Sequence, residues 1–210
     1  LTAILHFTEI LKEDFSNLPE DVSEKLSEFS ELVGFVREGA ERCKAITRNL
    51  LSFSRQTEIV MAPVNLNEVI NNTLNLLGAQ LRLNEICLDT HMGSNIPSIS
   101  GCSSHLQQVF TNILINAVQA MGKVGALSVV VGHNKQNCVV TISDNGSGIS
   151  SEHLDKIFDP FFTSKSKGRG VGLGLSIVHG IIKKHDGTIR VESVVDQGTT
   201  FHICFPILKQ

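Results

Sequence analysis

Two glycine-rich runs contain the residues most able to do chemistry in this chain: 144–149 (Asp-Asn-Gly-Ser-Gly-Ile) and 170–175 (Gly-Val-Gly-Leu-Gly-Leu). Residues 139–143, just before the first run, are rich in β-branched side chains and predict a strand. That strand should end by placing Asp144 at the mouth of a pocket. A carboxylate only accepts hydrogen bonds, which suits an amino group such as the exocyclic amine of adenine.

The glycines of both runs suit a bound phosphate compound. Gly146 and Gly148 allow positive φ and leave room for a ligand against bare backbone. The second run leads into a predicted helix near Ser176, whose N-terminal N–H groups would face phosphate. Either run alone is more often an ordinary loop, and the two commonest phosphate-loop patterns are absent. The two runs together therefore predict a nucleotide site that uses neither of those patterns.

A third feature is a predicted helix over residues 103–121, which has an amide-bearing face. Gln108, Asn112 and Asn116 recur at intervals of four and so share that face. Amide oxygens are hard ligands of the kind Mg²⁺ prefers. We expect Asn116 to bind the metal directly and Asn112 to position water or phosphate. Without the glycine runs, two solvent-facing or capping asparagines would be the simpler interpretation. The opposite stripe is apolar: Leu106, Val109, Phe110, Ile113, Leu114 and Ala117.

Composition limits the possible classes of protein. The 210 residues suffice for one sizeable domain and a smaller element, and a net charge of −3 gives no electrostatic case for nucleic acid. Five scattered cysteines without a C-x-x-C pair predict reduced thiols and a cytoplasmic setting. No apolar run is long enough to cross a membrane, so we expect no membrane contact within this chain. Because the sequence starts at Leu1, we expect a fragment, and a membrane anchor could lie upstream.

Residues 1–58 predict a helical hairpin that ends before a boundary near residues 57–63. The apolar positions of its second helix alternate in steps of four and three, which is close to a heptad repeat. Two copies would bury this seam better than one, so we predict a homodimer with a four-helix core. The alternative is that the seam packs on the chain's own second domain. The seam consists of Val22, Leu26, Phe29, Val33, Val36, Ala40, Cys43, Ile46, Leu50 and Phe53.

Residues 62–210 predict an α/β sandwich, with helices on one face of a mixed sheet, so the fold class of the whole chain is α+β. The boundaries follow from hydrophobic periodicity and from turn residues. Helices are predicted over 67–82, 103–121 and 172–185, and strands over 86–88, 98–100, 127–131, 139–143, 188–194 and 199–205.

Together these segments resemble the catalytic ATP-binding domain of sensor histidine kinases, which has the Bergerat fold. Residues 112–117 resemble that family's N box, 144–149 its G1 box, 158–165 its F box and 170–175 its G2 box. Residues 198–201 resemble its final strand motif, and 116–121 are similar to the nitrogen-regulation type. Gyrase and heat-shock chaperone ATPases share the fold. Residues 48–55 favour kinases, because they resemble the second helix of the kinase dimerisation domain.

The resemblance implies transfer of the ATP γ-phosphate to a histidine, and then to an aspartate of a response regulator, with Mg²⁺ as cofactor. It also implies that Asp144 binds the adenine amine, that Thr199 lies near the base, and that residues 149–171 form a mobile lid. Phe158 would help dock that lid on the hairpin, although ordinary core packing is the alternative, and Lys165 would offset phosphate charge. The nucleotide and metal residues implied are Asn112, Asn116, Asp144, Gly146, Gly148, Ile149, Phe158, Lys165, Gly170, Val171, Gly172, Leu173, Gly174 and Thr199.

One departure concerns the phosphoacceptor. The family motif, His-Glu-x-x-Asn-Pro, is followed by the Leu-Thr-Ala-Ile with which this chain begins, so we expect the acceptor histidine upstream of Leu1. His6 is followed by Phe7 and Thr8, without an acidic neighbour or Asn-Pro, and is a poor substitute. Two other functions stay open: a Bergerat-fold ATPase that drives conformational change, and a nucleotide-sensing dimeric scaffold without kinase activity.

Overall fold

The computed structural model describes residues 4, 6–11, 33–37, 39–40, 43, 60–163 and 171–208. Its chain divides into two compact units. One unit contains Leu1–Thr57 and Thr163–Leu173, and the other contains Glu58–Phe162 and Gly174–Gln210. Among the helices of these described residues, none is long and apolar enough to cross a membrane.

In the first unit, the described residues before position 44 are helical, as the periodicity predicts. Most of the predicted seam lies outside the described residues, so the dimer stays a prediction. Of the seam residues that are described, Ala40 is buried and Val36 is exposed. Phe7 and Phe35 are also large apolar side chains left mostly exposed within one copy of the chain.

The second unit is built on a five-stranded sheet with the order β2-β4-β5-β7-β6. A separate two-stranded sheet pairs β1 with β3. The strands are β1 (Ala62–Val64), β2 (Ile86–Met92), β3 (Ile99–Gly101), β4 (Gly125–His133), β5 (Asn137–Asp144), β6 (Thr188–Val194) and β7 (Gly198–Pro206). The helices are α1 (Leu66–Leu83), α2 (Ser103–Met121), α3 (Ser151–Leu154) and α4 (Gly174–Lys184).

The five-stranded sheet is mixed, as predicted. β2 and β4 are parallel, and α2 is part of the connection between them. The pairs β4–β5, β5–β7 and β6–β7 are antiparallel. β2 and β6 form the outer edges of the sheet, where Asp89, His91, Arg190 and Glu192 are exposed.

The hydrophobic core lies between the helices and one face of this sheet. The predicted apolar stripe of α2 is buried along its whole length, and Phe110 is fully enclosed. Alternate residues of β5 and β7 are also buried, as expected for strands with one covered face. Burying an apolar side chain of this size contributes roughly 1.5–3 kcal/mol. The same packing fixes α2 against the end of the sheet that contains Asp144.

In the second unit the predicted elements are present, with some different boundaries. α2 and β6 have the predicted limits. β2 extends to Met92, beyond the predicted end at residue 88, and the strand at 99–101 lies in the small sheet. α4 begins at Gly174, two residues later than predicted. β1 and the single-turn helix α3 were not predicted.

Candidate nucleotide-binding site

Asp144 is the last residue of β5, as the sequence predicts. It pairs with Leu127 on β4 and with Thr199 on β7, and only 8% of it is exposed. Its Oδ1 accepts a hydrogen bond from the backbone N–H of Gly146 at 2.9 Å. Burial raises the pKa of this carboxyl, while backbone hydrogen bonds from Gly146 and Thr199 oppose that rise. The structure therefore holds a largely desolvated carboxylate in a fixed position at a strand end.

Glycines surround Asp144 because the backbone segments approach one another closely. Gly148 has a φ of +66°, and a Cβ there would overlap the carbonyl oxygen of Val194. Gly198 has a φ of +110°, and a Cβ there would overlap the carbonyl oxygen of Asp144. A side chain at either position would be strained and would push these segments apart.

The loop after Asp144 is anchored on both sides. Asn145 exchanges two hydrogen bonds with Ala126, donating from its N–H at 3.3 Å and accepting at Oδ1 at 2.8 Å. The N–H of Ser147 donates to the carbonyl of Ala120 in α2, at 3.1 Å. The carbonyl of Ser147 accepts from the N–H of Asp196 at 2.9 Å. The loop is thus attached to both α2 and the turn between β6 and β7.

Ser193 is a site residue that the sequence analysis missed. Its hydroxyl oxygen lies 2.8 Å from the N–H of Ile149, 2.8 Å from the carbonyl of Gly198 and 3.0 Å from the hydroxyl of Thr199. The sequence signal was available but weak, since Ser193 and Thr199 face each other across the short β6–β7 turn. A serine and a threonine directly opposite on paired strands are within hydrogen-bonding reach.

The amide face of α2 lies beside the start of α4. The side-chain nitrogen of Asn112 donates to the carbonyl oxygen of Gly174, the first residue of α4, at 3.3 Å. Asn116 follows one turn later, and both asparagines are partly exposed. Within the described ranges, no group of three or more His, Cys, Asp or Glu side chains could hold a metal. Any metal on this face would therefore depend on amide oxygens, water and the ligand itself.

The predicted F-box aromatics take different positions. The ring of Phe158 stacks on His179 of α4, with centroids 5.2 Å apart. Phe162 meets His153 edge to face, also at 5.2 Å. Phe161 has a φ of +69° and is 67% exposed. Two of the three rings therefore pack within the unit and the third projects outward.

The structure brings five of the fourteen predicted nucleotide and metal residues together in one place, and two others lie outside the described residues. Asp144, Gly146, Gly148, Ile149 and Thr199 form one connected set at the end of β5, through the hydrogen bonds and close contacts given above. Lys165 and Gly170 lie outside the described residues. Val171, Gly172 and Leu173 belong to the first unit and are half-buried, and Gly172 has a φ of +72°.

Residues 101–209 match the family described as histidine kinase-, DNA gyrase B- and HSP90-like ATPases. The catalytic domain of the histidine kinase ThkA has the same fold, with 30% sequence identity and a TM-score of 0.64. That comparison covers 70% of this chain and 95% of the ThkA domain. The chain therefore belongs to this ATPase family, and within it to the histidine kinase catalytic domains.

Two longer kinases are similar over more of the chain. Sensor histidine kinase ZraS of Escherichia coli K12 is 34% identical over 180 residues, which are 86% of this chain and 38% of ZraS. The chain thus spans well under half the length of this curated relative. The crystal structure of ThkA in complex with the response regulator protein TrrA matches with a TM-score of 0.71 at 22% identity, over 98% of this chain and 58% of ThkA. That last likeness concerns the fold alone.

Proposed function

We propose that this chain is the ATP-binding core of a protein-histidine kinase in a two-component signalling system. The observation that best supports this is the buried carboxylate of Asp144 at the end of β5, in a domain of the histidine kinase family. A buried carboxylate selects for an amine, because it can accept a further hydrogen bond from an N–H but cannot donate one to a carbonyl. Asp144 would bind the exocyclic amine of adenine, and Thr199 would lie beside the base.

Mg²⁺ is the proposed metal, held on the amide face of α2. The Asn112 side-chain nitrogen donates to Gly174, which turns its amide oxygen away from that carbonyl. Asn116, one turn along the helix, would supply a second amide oxygen as a ligand. Mg²⁺ is commonly bound by few protein ligands, with water and phosphate oxygens completing its shell. Two asparagines fit that role, and the metal would neutralise charge on the phosphates.

The proposed reaction moves the γ-phosphoryl group of ATP. The bond between the γ-phosphorus and the bridging oxygen breaks, a phosphorus–nitrogen bond forms to a histidine imidazole, and ADP leaves. Catalysis of such a step consists mainly of positioning and electrostatic stabilisation. Lys165 and the glycines at 170, 172 and 174 are the proposed phosphate contacts. His6 is not proposed as the acceptor, because Phe7 and Thr8 follow it where the family has an acidic neighbour and Asn-Pro.

The proposed partners are a second copy of the chain and a response regulator, and the proposed location is the cytoplasm. Residues 1–58 would form the dimerisation hairpin and residues 62–210 the catalytic domain. Val36 is a seam residue that is exposed in a single copy of the chain, and the proposed dimer would cover it. The fold shared with ThkA, which was crystallised with its response regulator TrrA, supports the second partner.

Two measurements test the proposal. Calorimetric titration of this chain with a non-hydrolysable ATP analogue should show binding that strengthens when Mg²⁺ is added. The full-length protein should incorporate label from γ-labelled ATP into a product that is stable to base and labile to acid, as phosphohistidine is. Label that persists in His6→Gln would agree with an acceptor elsewhere. Phosphate release without protein labelling would instead favour an ATPase that drives conformational change.

A further inference from the structure

Ser193, Thr199 and Asp144 lie in one row across three neighbouring strands. Ser193 on β6 is directly opposite Thr199 on β7, and Thr199 is directly opposite Asp144 on β5. Directly opposite residues project from the same face of a sheet. Asp144 and Thr199 are both buried, with 8% and 5% of their surfaces exposed. The row therefore runs along the covered face, from the edge of the sheet to the proposed adenine-binding carboxylate.

The hydrogen bonds of Ser193 decide which way each hydroxyl proton points. A serine hydroxyl has one proton to donate and two lone pairs with which to accept. Its contact with the carbonyl of Gly198 uses the proton, since a carbonyl cannot donate. Its contact with the N–H of Ile149 uses one lone pair. In the remaining contact, at 3.0 Å, Ser193 must accept and Thr199 must donate.

This assignment uses the one proton of the Thr199 hydroxyl. Towards any other neighbour, Thr199 Oγ1 can then only accept. Asp144, next to it in the row, is a carboxylate and also only accepts. The two groups closest to the proposed base thus have the same hydrogen-bonding character, and Ser193 imposes that character on Thr199.

We propose that Ser193 is a positioning residue for base selection, because it orients the Thr199 hydroxyl. With that orientation the site accepts a purine with an amino group at position 6 and rejects a purine with a carbonyl group at position 6. This inference rests on the proposed ATP site and adds a residue that acts through Thr199. An acceptor facing an amine makes a hydrogen bond. If the base has a carbonyl there, the Thr199 oxygen and the carbonyl oxygen face each other as two acceptors with no proton between them. In a desolvated site this weakens the binding free energy.

The test compares ATP with inosine triphosphate, which has a carbonyl in place of the amine, in titrations of this chain. Wild type should bind ATP more tightly. In Ser193→Ala the Thr199 proton is free to turn towards the base, so the ratio of the two dissociation constants should narrow on the order of tenfold. Ser193→Thr keeps the hydroxyl and should restore the ratio. A purely structural role for Ser193 would weaken both nucleotides by the same factor, and that outcome would overturn the proposal.

Ser143→Ala is a matched control. Ser143 Oγ lies 2.7 Å from the hydroxyl of Thr200, which is the same kind of contact one residue along the β5–β7 ladder and on the opposite face. Removing the Ser143 hydroxyl should leave the ratio of the two dissociation constants unchanged.

Thr199→Val provides a second test that does not depend on the folding of the Ser193 variant. The ratio should narrow in Thr199→Val, and adding Ser193→Ala should narrow it no further.

The two levels of failure are distinguishable. If wild type binds neither nucleotide, the proposed function is wrong. If wild type binds ATP preferentially and the ratio of the two dissociation constants is unchanged in Ser193→Ala or Thr199→Val, the proposed function stands and the role of Ser193 is refuted.

Discussion

Replacing Asp144 by asparagine tests the proposed adenine contact most directly. The substitution keeps the size of the side chain and removes its charge. Oδ1 of Asp144 accepts from the N–H of Gly146 at 2.9 Å, and the backbone of Thr199 also hydrogen bonds to the carboxylate. An asparagine has only one accepting oxygen. Whichever way the amide turns, its NH₂ group must face either a backbone N–H or the purine amine.

The size of the effect follows from these contacts. Losing a hydrogen bond to a charged acceptor costs about 1.5–3 kcal/mol, and leaving a buried donor unsatisfied costs about 1–3 kcal/mol more. A combined loss of about 3 kcal/mol corresponds to roughly 150-fold weaker binding of ATP. We expect the stability of the fold to change much less. Burial disfavours the charged carboxylate, so removing the charge should stabilise the fold. Losing a backbone hydrogen bond should destabilise it, and the two effects partly cancel.

Calorimetric titration with ATP and a thermal melt of each variant would separate the two effects. Asp89→Asn is the control, since that carboxylate is exposed on the edge strand β2 and should leave ATP affinity unchanged. Unchanged affinity in Asp144→Asn would refute the assignment of this carboxylate to adenine. A melting temperature that falls together with affinity would indicate a structural role.

Acidification should weaken ATP binding in wild type through the same group. Burial raises the pKa of Asp144 above its ordinary 3.8, so the carboxyl gains a proton as the pH falls towards that raised pKa. The folded state binds this proton more tightly than the unfolded state, so protonation of Asp144 by itself stabilises the fold. The same protonation removes an acceptor for the adenine amine. Affinity should therefore fall at a pH where an ordinary aspartate is still ionised. Asp144→Asn should lack this dependence.

Three further substitutions test other parts of the argument. Asn116→Ala should remove the Mg²⁺ dependence of ATP binding, measured by titration with and without the metal; a variant that still responds to Mg²⁺ would contradict the proposed ligand. Gly148→Ala should lower both the melting temperature and ATP affinity, because the added Cβ would overlap Val194. Gly132→Ala is the control: a Cβ there has no other atom within 4 Å, so both quantities should fall less. Phe110→Ala should lower the free energy of unfolding in denaturant by about 3–5 kcal/mol, since the ring is fully buried; a loss below about 1 kcal/mol would mean that α2 is not packed as described.

Long periodic segments were predictable from the sequence. The apolar stripe of α2 predicts its buried face, Gly122 with a φ of +70° follows its last residue, and the alternation in β6 predicts that strand. The length of β2 was underestimated because, apart from Thr90, its second half (Asp89–Met92) has little intrinsic strand preference. Those residues are extended because β2 pairs in parallel with β4, from Asp89 opposite Ser128 to Met92 opposite Val131. Pairing with a partner strand outweighed local preference there.

The position of Asp144 at a strand end beside glycines was predictable from the sequence, but the connections around it were not. Asp144 and its glycines are recognisable because close backbone approach restricts those positions to glycine. Ser193 was missed because its importance depends on the register that places it opposite Thr199. β1 was missed since Pro63 argues against a strand. However, β1 pairs with β3 alone in the two-stranded sheet, and a missing N–H is tolerated on such an edge strand.

The open edges of the sheet also limit how copies of this domain can associate. An unpaired edge strand is a template for a strand from another chain, and charged residues on it discourage that addition. β2 exposes Asp89 and His91, and β6 exposes Arg190 and Glu192. Sheet-to-sheet growth, which leads to swapped or fibrous assemblies, is therefore disfavoured at both edges. Even at high local concentration, we expect these edges to keep neighbouring copies of the sheet separate, which leaves the proposed dimerisation to the helical segment.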